Sequence, residues 1–166
     1  MVAYPKYDVA TTFINGNPLV AGADTLSALS KVTISGEVRS NGQKLTNFNG
    51  IIYTTVYDKE ESISTLTNDP SSPLRTFSLQ KNILYKGKAT VSNGDFTFTF
   101  IVPKDISYKI GNGRLSYYAH TGNEDANGYF DSLLIGGSSS NPITDNVGPS
   151  VKLYLNDEKF VFGGTT

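Results

Sequence analysis

Cysteine is absent from this sequence of 166 residues, and so is tryptophan. The lack of cysteine excludes disulfide bonds, thiolate zinc sites and a cysteine nucleophile within the chain. A chain of this length nevertheless buries a sizeable core without any covalent staple. One folded domain, or one domain with a fragment of a second, is therefore the expected organisation.

The sequence also lacks an excess of either charge, because 14 Lys and Arg residues stand against 15 Asp and Glu residues with the two signs interspersed. Nucleic acid and inserted-membrane partners are disfavoured, since no concentrated basic face and no apolar run of membrane length is present. The N-terminus lacks the basic and apolar regions of a signal peptide. Because "MVAYPKYDV" opens inside a linker or first strand, we expect an excised piece if the natural protein is exported.

Residues typical of strands and turns are abundant. The chain has 10 Tyr and 9 Phe residues, recurrent Thr and Val, and 16 Gly and 7 Pro that fall mostly between periodic runs. About seven or eight short strands, with turns roughly every ten residues, are typical of a β-sandwich. The sequence thus predicts an all-β fold, an immunoglobulin-like two-sheet antiparallel β-sandwich, without the disulfide and tryptophan of antibody domains.

Two polar segments suggest how the chain is organised. "GGSSSNPITDNVGP", residues 136–149, has the composition of a linker. We therefore assign residues 1–147 to the sandwich domain and residues 148–166 to a C-terminal hairpin that starts a following, truncated module. The other segment, residues 59–75, is rich in Ser, Asp and Pro and predicts a long surface connection that crosses between sheets.

The stretch "VSNGDFTFTFIVP" carries the clearest local signal. Asn93-Gly94 between two alternating runs predicts a two-residue type I′ hairpin turn. That register places Val91 opposite Phe96, and by extension Ala89 and Gly87 opposite the next two phenylalanines. Because apolar residues at a period of two are usually buried, we interpret the phenylalanines as core rather than as a ligand platform.

A catalytic site has little support in the residues. The single histidine, His120, falls at the polar end of a strand beside a loop, and no Gly-x-Ser-x-Gly elbow is present. No glycine-rich phosphate loop opens a helix, so nucleotide binding has no support either. A partly exposed histidine at a sheet edge is the favoured interpretation.

One loop contains the densest group of carboxylates. In "NEDANGYFD", Glu124, Asp125 and Asp131 flank the turn at Asn127-Gly128 and are candidate calcium ligands. The spacing does not match an EF-hand, in which acidic residues recur at alternate positions and a bidentate Glu closes the loop. A turn with an Asx contact is the alternative, and no other cofactor is indicated.

Tyrosines provide a candidate binding surface for carbohydrate or peptide. Tyr53, Tyr57 and Tyr118 are the members we select, with Tyr117 and Tyr129 as further candidates. The alternative is that these side chains cap the faces of the sheets, as tyrosines in a sandwich usually do.

Several stretches together resemble a known region. They are "VAYPKYDV", "SKVTISGEV", "FNGIIYTTVYDKE", "NGDFTFTFIVPKDISYKIGNGRLSYYA", "DANGYFDSLLIGG" and "GPSVKLYLND…FVFGGTT". The chain is similar over essentially its whole length to the region that follows the peptidase domain in gingipain-like (family C25) signal peptidases and sortases of the type IX secretion system of Bacteroidetes. The most specific parts are the segment that ends in "SYYA" and the segment "GYFDSLLIGG".

The resemblance implies a parent protein at the cell surface, associated with the outer membrane, that cleaves the C-terminal sorting domain from exported cargo and helps attach cargo to lipopolysaccharide. The catalytic Cys and His of that family lie in the preceding peptidase domain, and no residue here matches them. The implied role is a non-catalytic accessory domain that supports the adjacent peptidase domain or contacts cargo C-terminal domains and secretion components. A carbohydrate- or lipopolysaccharide-binding module that uses surface tyrosines is the alternative, and an independent hydrolase is a third.

Overall fold

The computed structural model describes residues 7–19, 25–69 and 71–143, which form strands, turns and coil but no helix. No membrane-spanning helix is therefore present in these ranges. The prediction of an all-β fold is confirmed. The strands are β1 (Tyr7–Ile14), β2 (Asn17–Pro18), β3 (Leu26–Ala28), β4 (Lys31–Ser40), β5 (Gln43–Lys44), β6 (Gly50–Tyr57), β7 (Glu61–Ser64), β8 (Thr76–Leu79), β9 (Ile83–Ser92), β10 (Asp95–Ile101), β11 (Gly111–His120) and β12 (Asp125–Ser138).

Seven strands form a barrel-like sheet that closes on itself, in the order β1, β12, β11, β6, β9, β10, β4 and back to β1. The short strands β2, β3 and β5 pair with β1, β12 and β4 at the periphery. β7 and β8 form a separate two-stranded sheet. The predicted immunoglobulin-like arrangement of two sheets is not confirmed, because hydrogen bonds connect all seven strands of the ring.

At two places in the ring, neighbouring strands share very few register pairs, and we call these places seams. The seams explain why the strand pattern resembles a sandwich. β9 and β10 share only two register pairs, next to their turn, and β1 and β12 also share only two. Within the two parts that these seams separate, pairing is extensive: β6 and β9 share eight pairs, and β10 and β4 share seven. The ring thus consists of a four-stranded part (β12, β11, β6, β9) and a three-stranded part (β10, β4, β1).

The sandwich prediction required wholly antiparallel pairing, but two of the strand pairings are parallel. β1 and β3 both run parallel to β12. A bulge in β1 between Thr11 and Phe13 accompanies its pairing with β4. β1 closes the ring because it pairs with β12 at Tyr7 and Asp8 and with β4 from Asp8 to Ile14, and the bulge bends the strand within this second ladder.

Alternation along the strands builds the core. In β6, Ile52 and Val56 are buried while Ile51 and Tyr53 are exposed, as a period of two requires. β6 lies between β11 and β9, so its prediction as a central strand is confirmed. The largest fully buried side chains are Phe48, Ile14, Leu26, Ile34, Ile52, Leu115, Leu133 and Ile135.

The predicted hairpin at Asn93-Gly94 is confirmed at its turn and first apolar pair, but the predicted register beyond that pair is wrong. Both turn residues have positive φ, 51° and 81°, and Val91 pairs with Phe96. Beyond that pair β9 and β10 separate, so Phe98 and Phe100 have no partners on β9. Both rings instead stack on Tyr85, with centroids 5.6 and 4.9 Å away. All three phenylalanines are buried, as predicted.

The segment at 59–75 does not cross between sheets as predicted. Its first part forms β7, which pairs with β8 in a hairpin outside the ring, and the chain then re-enters the ring in β9. Because β9 pairs with β6, the strand that precedes this excursion, no crossover is needed. The hairpin carries the cross-strand pair Ile63 and Phe77.

The predicted domain boundary, at residue 147, lies outside the described residues, which end at residue 143. Gly136 and Gly137, expected at the start of the linker, belong to β12. The predicted C-terminal hairpin, residues 148–166, lies outside the described residues, so the division at residue 147 stays a prediction.

Because of one buried hydroxyl, that of Tyr117, we expect the free energy of unfolding to decrease as the pH rises above 10. Tyr117 points into the ring, where its hydroxyl and that of Thr11 are 2.7 Å apart. Burial raises the pKa of the Tyr117 hydroxyl well above its ordinary value of 10.0, while the Thr11 hydrogen bond opposes the shift. Above pH 10 the unfolded chain therefore releases this proton whereas the folded chain keeps it, so stability falls as the pH rises.

We expect the free energy of unfolding to lose about 1.4 kcal/mol per pH unit above pH 10 through this one group. Urea titrations between pH 9 and 11 should show that Tyr117→Phe weakens the fall of the unfolding free energy above pH 10 by about 1.4 kcal/mol per pH unit, the contribution of one proton. Tyr129→Phe, on an exposed side chain, is the matched control and should keep the wild-type slope. Equal slopes in the wild type and Tyr117→Phe would contradict the assignment.

Candidate functional site

An aromatic patch lies on the outer surface of the ring, across β6 and β11. Tyr53 and Tyr118 are directly opposite each other in the register of these antiparallel strands, and His120 is the next outward residue along β11. Their sequence neighbours Ile52, Tyr117 and Ala119 point inward. The three outward side chains therefore share one face, as strand alternation dictates.

The three rings of the aromatic patch, defined as Tyr53, Tyr118 and His120, contact one another. The ring centroids of Tyr53 and His120 are 5.9 Å apart with an interplanar angle of 12°. Tyr118 lies 6.5 Å from Tyr53 and 6.0 Å from His120. The two tyrosines remain 45% and 46% exposed, so the patch presents aromatic surface to solvent.

Two carboxylates border the patch, and we name Glu124 and Asp125 the acidic rim. Asp125 is the register partner of His120, and Glu124 ends the loop between β11 and β12. Thr121 Oγ1 accepts hydrogen bonds from the backbone amides of Asn123 and Glu124, at 3.4 and 3.2 Å, which shapes this loop. Patch and rim line one open concavity of about 670 Å³.

The chain enters the fold beside the acidic rim. Tyr7, the first residue of β1, donates a hydrogen bond from its hydroxyl to Glu124 Oε1 over 3.1 Å. Its ring meets Phe48 edge to face, with centroids 6.2 Å apart. Contacts of an aromatic residue with both the loop and the core hold the start of β1 at this end of the ring.

The three calcium candidates do not converge. Glu124 and Asp125 line the concavity beside the patch, whereas Asp131 lines a different one. Asp131 lies six residues along β12 from Asp125, or about 20 Å at the rise of a strand. Over the described ranges, no group of three or more His, Asp or Glu side chains is placed to hold a metal ion.

The other tyrosine candidates lie apart from the patch. Tyr57 is at the far end of β6, where the guanidinium carbon of Arg114 stands 5.3 Å from its ring centroid. Tyr117 is in the core. Tyr129 is exposed on β12 and lines two further concavities that it shares with Arg114. The structure therefore brings Tyr53 and Tyr118 together but leaves Tyr57 outside.

A second concavity, of about 750 Å³, lies at the far end of β6. Lys59 Nζ donates to Asp58 Oδ1 at 2.8 Å and to the Ser107 carbonyl at 3.1 Å, and both charged side chains are largely buried. Because the two charged groups satisfy each other's hydrogen bonds, the pair links the end of β6 to the 103–110 loop. It offers weaker support for a ligand site than the aromatic patch does.

The imidazole of His120 has the surroundings of a packing group. Within the described ranges it forms no hydrogen bond, and its ring contacts are Tyr53 and Tyr118. A general base needs a positioned nucleophile within hydrogen-bond reach. The sequence prediction did not include His120 among the members of this surface. Its position two residues after Tyr118 could have indicated it, because alternate residues of a strand share one face.

Comparison with known proteins finds no matching family model and no matching curated protein. Among solved structures, the chain is similar to the crystal structure of dimeric latent PorU from Porphyromonas gingivalis, at 28% sequence identity and a TM-score of 0.73. The match covers 94% of this chain and 15% of the PorU chain. The resemblance predicted from the sequence is thereby confirmed, and the chain corresponds to a small part of the length of PorU.

Proposed function

Starting from this similarity to a region of PorU, we propose that the chain is a non-catalytic accessory domain of a surface-associated, C25-type cysteine endopeptidase, a type IX secretion signal peptidase and sortase. The observation that carries the proposal is the match over 94% of the chain at 28% identity. The domain would support the adjacent peptidase domain of the same parent, or contact cargo C-terminal domains. The parent would reside at the cell surface, associated with the outer membrane.

The chemistry of the chain supports a role without catalysis. The sequence contains no cysteine, and its one histidine packs between two tyrosines. A domain of this kind acts through a rigid surface, and the fold alone does not define that surface.

Deletion of residues 1–149 from the parent protein tests the proposal. We expect cleavage and surface attachment of cargo to fall while hydrolysis of a short peptide substrate is retained, since the reacting groups lie in another domain. The comparison needs equal amounts of folded parent, checked by circular dichroism. Unchanged cargo processing and localisation after the deletion would count against an accessory role.

The aromatic patch favours a second candidate function, a carbohydrate- or lipopolysaccharide-binding module. Half-exposed Tyr53 and Tyr118 beside two carboxylates provide apolar faces and hydrogen-bond acceptors for sugar hydroxyls. Calorimetric titration with lipopolysaccharide and neutral oligosaccharides should then show saturable binding that Tyr53→Ala abolishes. Tyr108→Ala, an exposed tyrosine in the 103–110 loop, is the control and should bind normally.

A further inference from the structure

The side of β9 that faces β10 is largely unpaired. β9 forms eight register pairs with β6 on its other side, but it pairs with β10 only at Ser92 and Val91, next to the turn. In the described part of the chain no strand pairs with residues 83–90 on this side, which we name the free edge of β9. A free strand edge is a template with which another extended chain can pair.

The turn geometry shows which backbone groups the free edge presents. Ser92 and Asp95 flank the two-residue turn, so they form a pair that is hydrogen-bonded through both backbones. Backbone groups alternate in direction along a strand, so Thr90, Lys88 and Lys86 direct their amides and carbonyls toward the same side as Ser92. Within the described ranges these three residues have no hydrogen-bond partner on that side.

The inward face of β9 is less covered than those of the neighbouring strands. The inward residues of β6 and β10 are buried, whereas Tyr85, Gly87 and Ala89 of β9 are only half-buried. A strand added along the free edge removes this surface from water, and burial of apolar surface is favourable. The facing edge of β10 gains less from an added strand, because its phenylalanines are already buried.

Other strand edges are less suited to a partner. A Cβ built on Gly128 would stand 2.8 Å from the carbonyl carbon of Val9, so the backbones of β12 and β1 are already in contact at the other seam. β7 and β8 have free sides, but each of these strands has only four residues. The free edge of β9 offers a longer ladder than either.

Charge indicates the chemistry of the partner. The side chains of Lys86 and Lys88 are exposed and form no ion pair in the described ranges. Across a strand pair, opposite charges stabilise and like charges destabilise. A second copy that paired its β9 with this edge would bring lysines together, whereas Asp or Glu side chains on an incoming strand would lie beside them. The free edge therefore favours an acidic segment over self-association.

We propose that the free edge of β9 binds an extended acidic peptide segment of another protein by β-strand addition. The segment forms hydrogen bonds with the backbone of Lys86, Lys88 and Thr90, and it places Asp or Glu at alternate positions beside the two lysines. Its intervening residues are apolar and cover Gly87 and Ala89. This inference goes beyond the proposed function and does not rest on it.

Hydrogen exchange in the 166-residue chain tests the free edge itself. The amides of Lys86, Lys88 and Thr90 should exchange about ten-fold faster than those of Gly87 and Ala89, which are directed at β6. Uniform protection along β9 would show that the edge is already covered and would overturn the inference. Protection that appears as the protein concentration rises would assign the edge to a second copy, with the same consequence.

The binding probe is a fluorescein-labelled heptapeptide of alternating Glu and Val, followed by fluorescence anisotropy. We expect saturable binding that slows exchange of the three edge amides about ten-fold, and no binding of a matched peptide of alternating Lys and Val. N-methylation of the Glu amides should have a different effect from N-methylation of the Val amides, because only alternate amides face β9. One modification should abolish binding and the other should leave it unchanged. Equal effects of the two, or no binding of the unmodified peptide, would contradict strand addition.

Variants locate the contact on β9. Lys86→Glu combined with Lys88→Glu should weaken binding about ten-fold. Lys104→Glu combined with Lys109→Glu, at exposed lysines of the 103–110 loop, is the matched control and should bind normally. Thr90→Pro removes an amide from the free edge but none from the ladder with β6, so it should abolish binding while the circular dichroism spectrum stays unchanged. If the proline variant unfolds, the lysine pair decides, and wild-type affinity in that pair would overturn the inference.

Discussion

Replacement of Phe98 by alanine is expected to destabilise the fold by about 3–5 kcal/mol, the usual cost of deleting a buried aromatic side chain. The Phe98 ring is buried, and it stacks on Tyr85, Phe96 and Phe100. These two strands share only two register pairs, so side-chain packing, rather than a hydrogen-bond ladder, holds this part of the ring together. The cavity left by the deleted ring would therefore form where few backbone hydrogen bonds connect β9 and β10.

Urea unfolding followed by circular dichroism measures this loss. Thr97→Ala is the matched control, because Thr97 is the neighbouring residue on β10 and points outward, with its hydroxyl 2.9 Å from that of Ser35. Its cost should stay within about 1 kcal/mol, the span of strand propensities. Similar losses for the two variants would show that the phenylalanine row is not the core that holds the seam.

Substitution of Gly128 by alanine is the second large expected effect, at about 2–3 kcal/mol or a failure of the seam to close. A Cβ at this position would stand 2.8 Å from the carbonyl carbon of Val9 and closer still to its oxygen. The obstacle is backbone, so no side-chain rotation relieves it. Because β1 and β12 share only two register pairs, at Tyr7 and Asp8, strain here falls on one of the two short seams of the ring.

Thermal unfolding of Gly128→Ala should be compared with that of Asn127→Ala, an outward-pointing neighbour that leaves the contact with Val9 unchanged. We expect the alanine at 128 to lower the midpoint by several degrees and the alanine at 127 to have a small effect. Hydrogen exchange should be faster in β1 of Gly128→Ala if the seam opens. Wild-type exchange in β1 together with a wild-type midpoint would mean that the close approach has no energetic role.

The candidate site was predictable in part. Outward placement of Tyr53 and Tyr118 follows from alternation in each strand. Their contact does not, because β6 and β11 are far apart in sequence and only register decides which outward residues meet. The same limit applies to Tyr57: alternation places it on the same face of β6 as Tyr53, but it lies four positions further along the strand and its ring contacts Arg114 instead of the patch.

The two short seams show the same limit at the level of the fold. The Asn93-Gly94 turn and the first pair, Val91 with Phe96, were predictable because a two-residue turn sets its own register. The separation of the strands after that pair was not predictable, because it accompanies the stacking of Tyr85 on Phe98 and Phe100 and the longer ladder that β10 forms with β4.

By itself, the sequence determined the all-β class, the tight turns and the inward face of each strand, since these depend on neighbours within a few residues. The tertiary structure alone decided that the strands close into one ring and that His120 joins two tyrosines beside Glu124 and Asp125. Both depend on pairing between distant segments, whose register is selected by the packing of the whole core rather than by any local stretch.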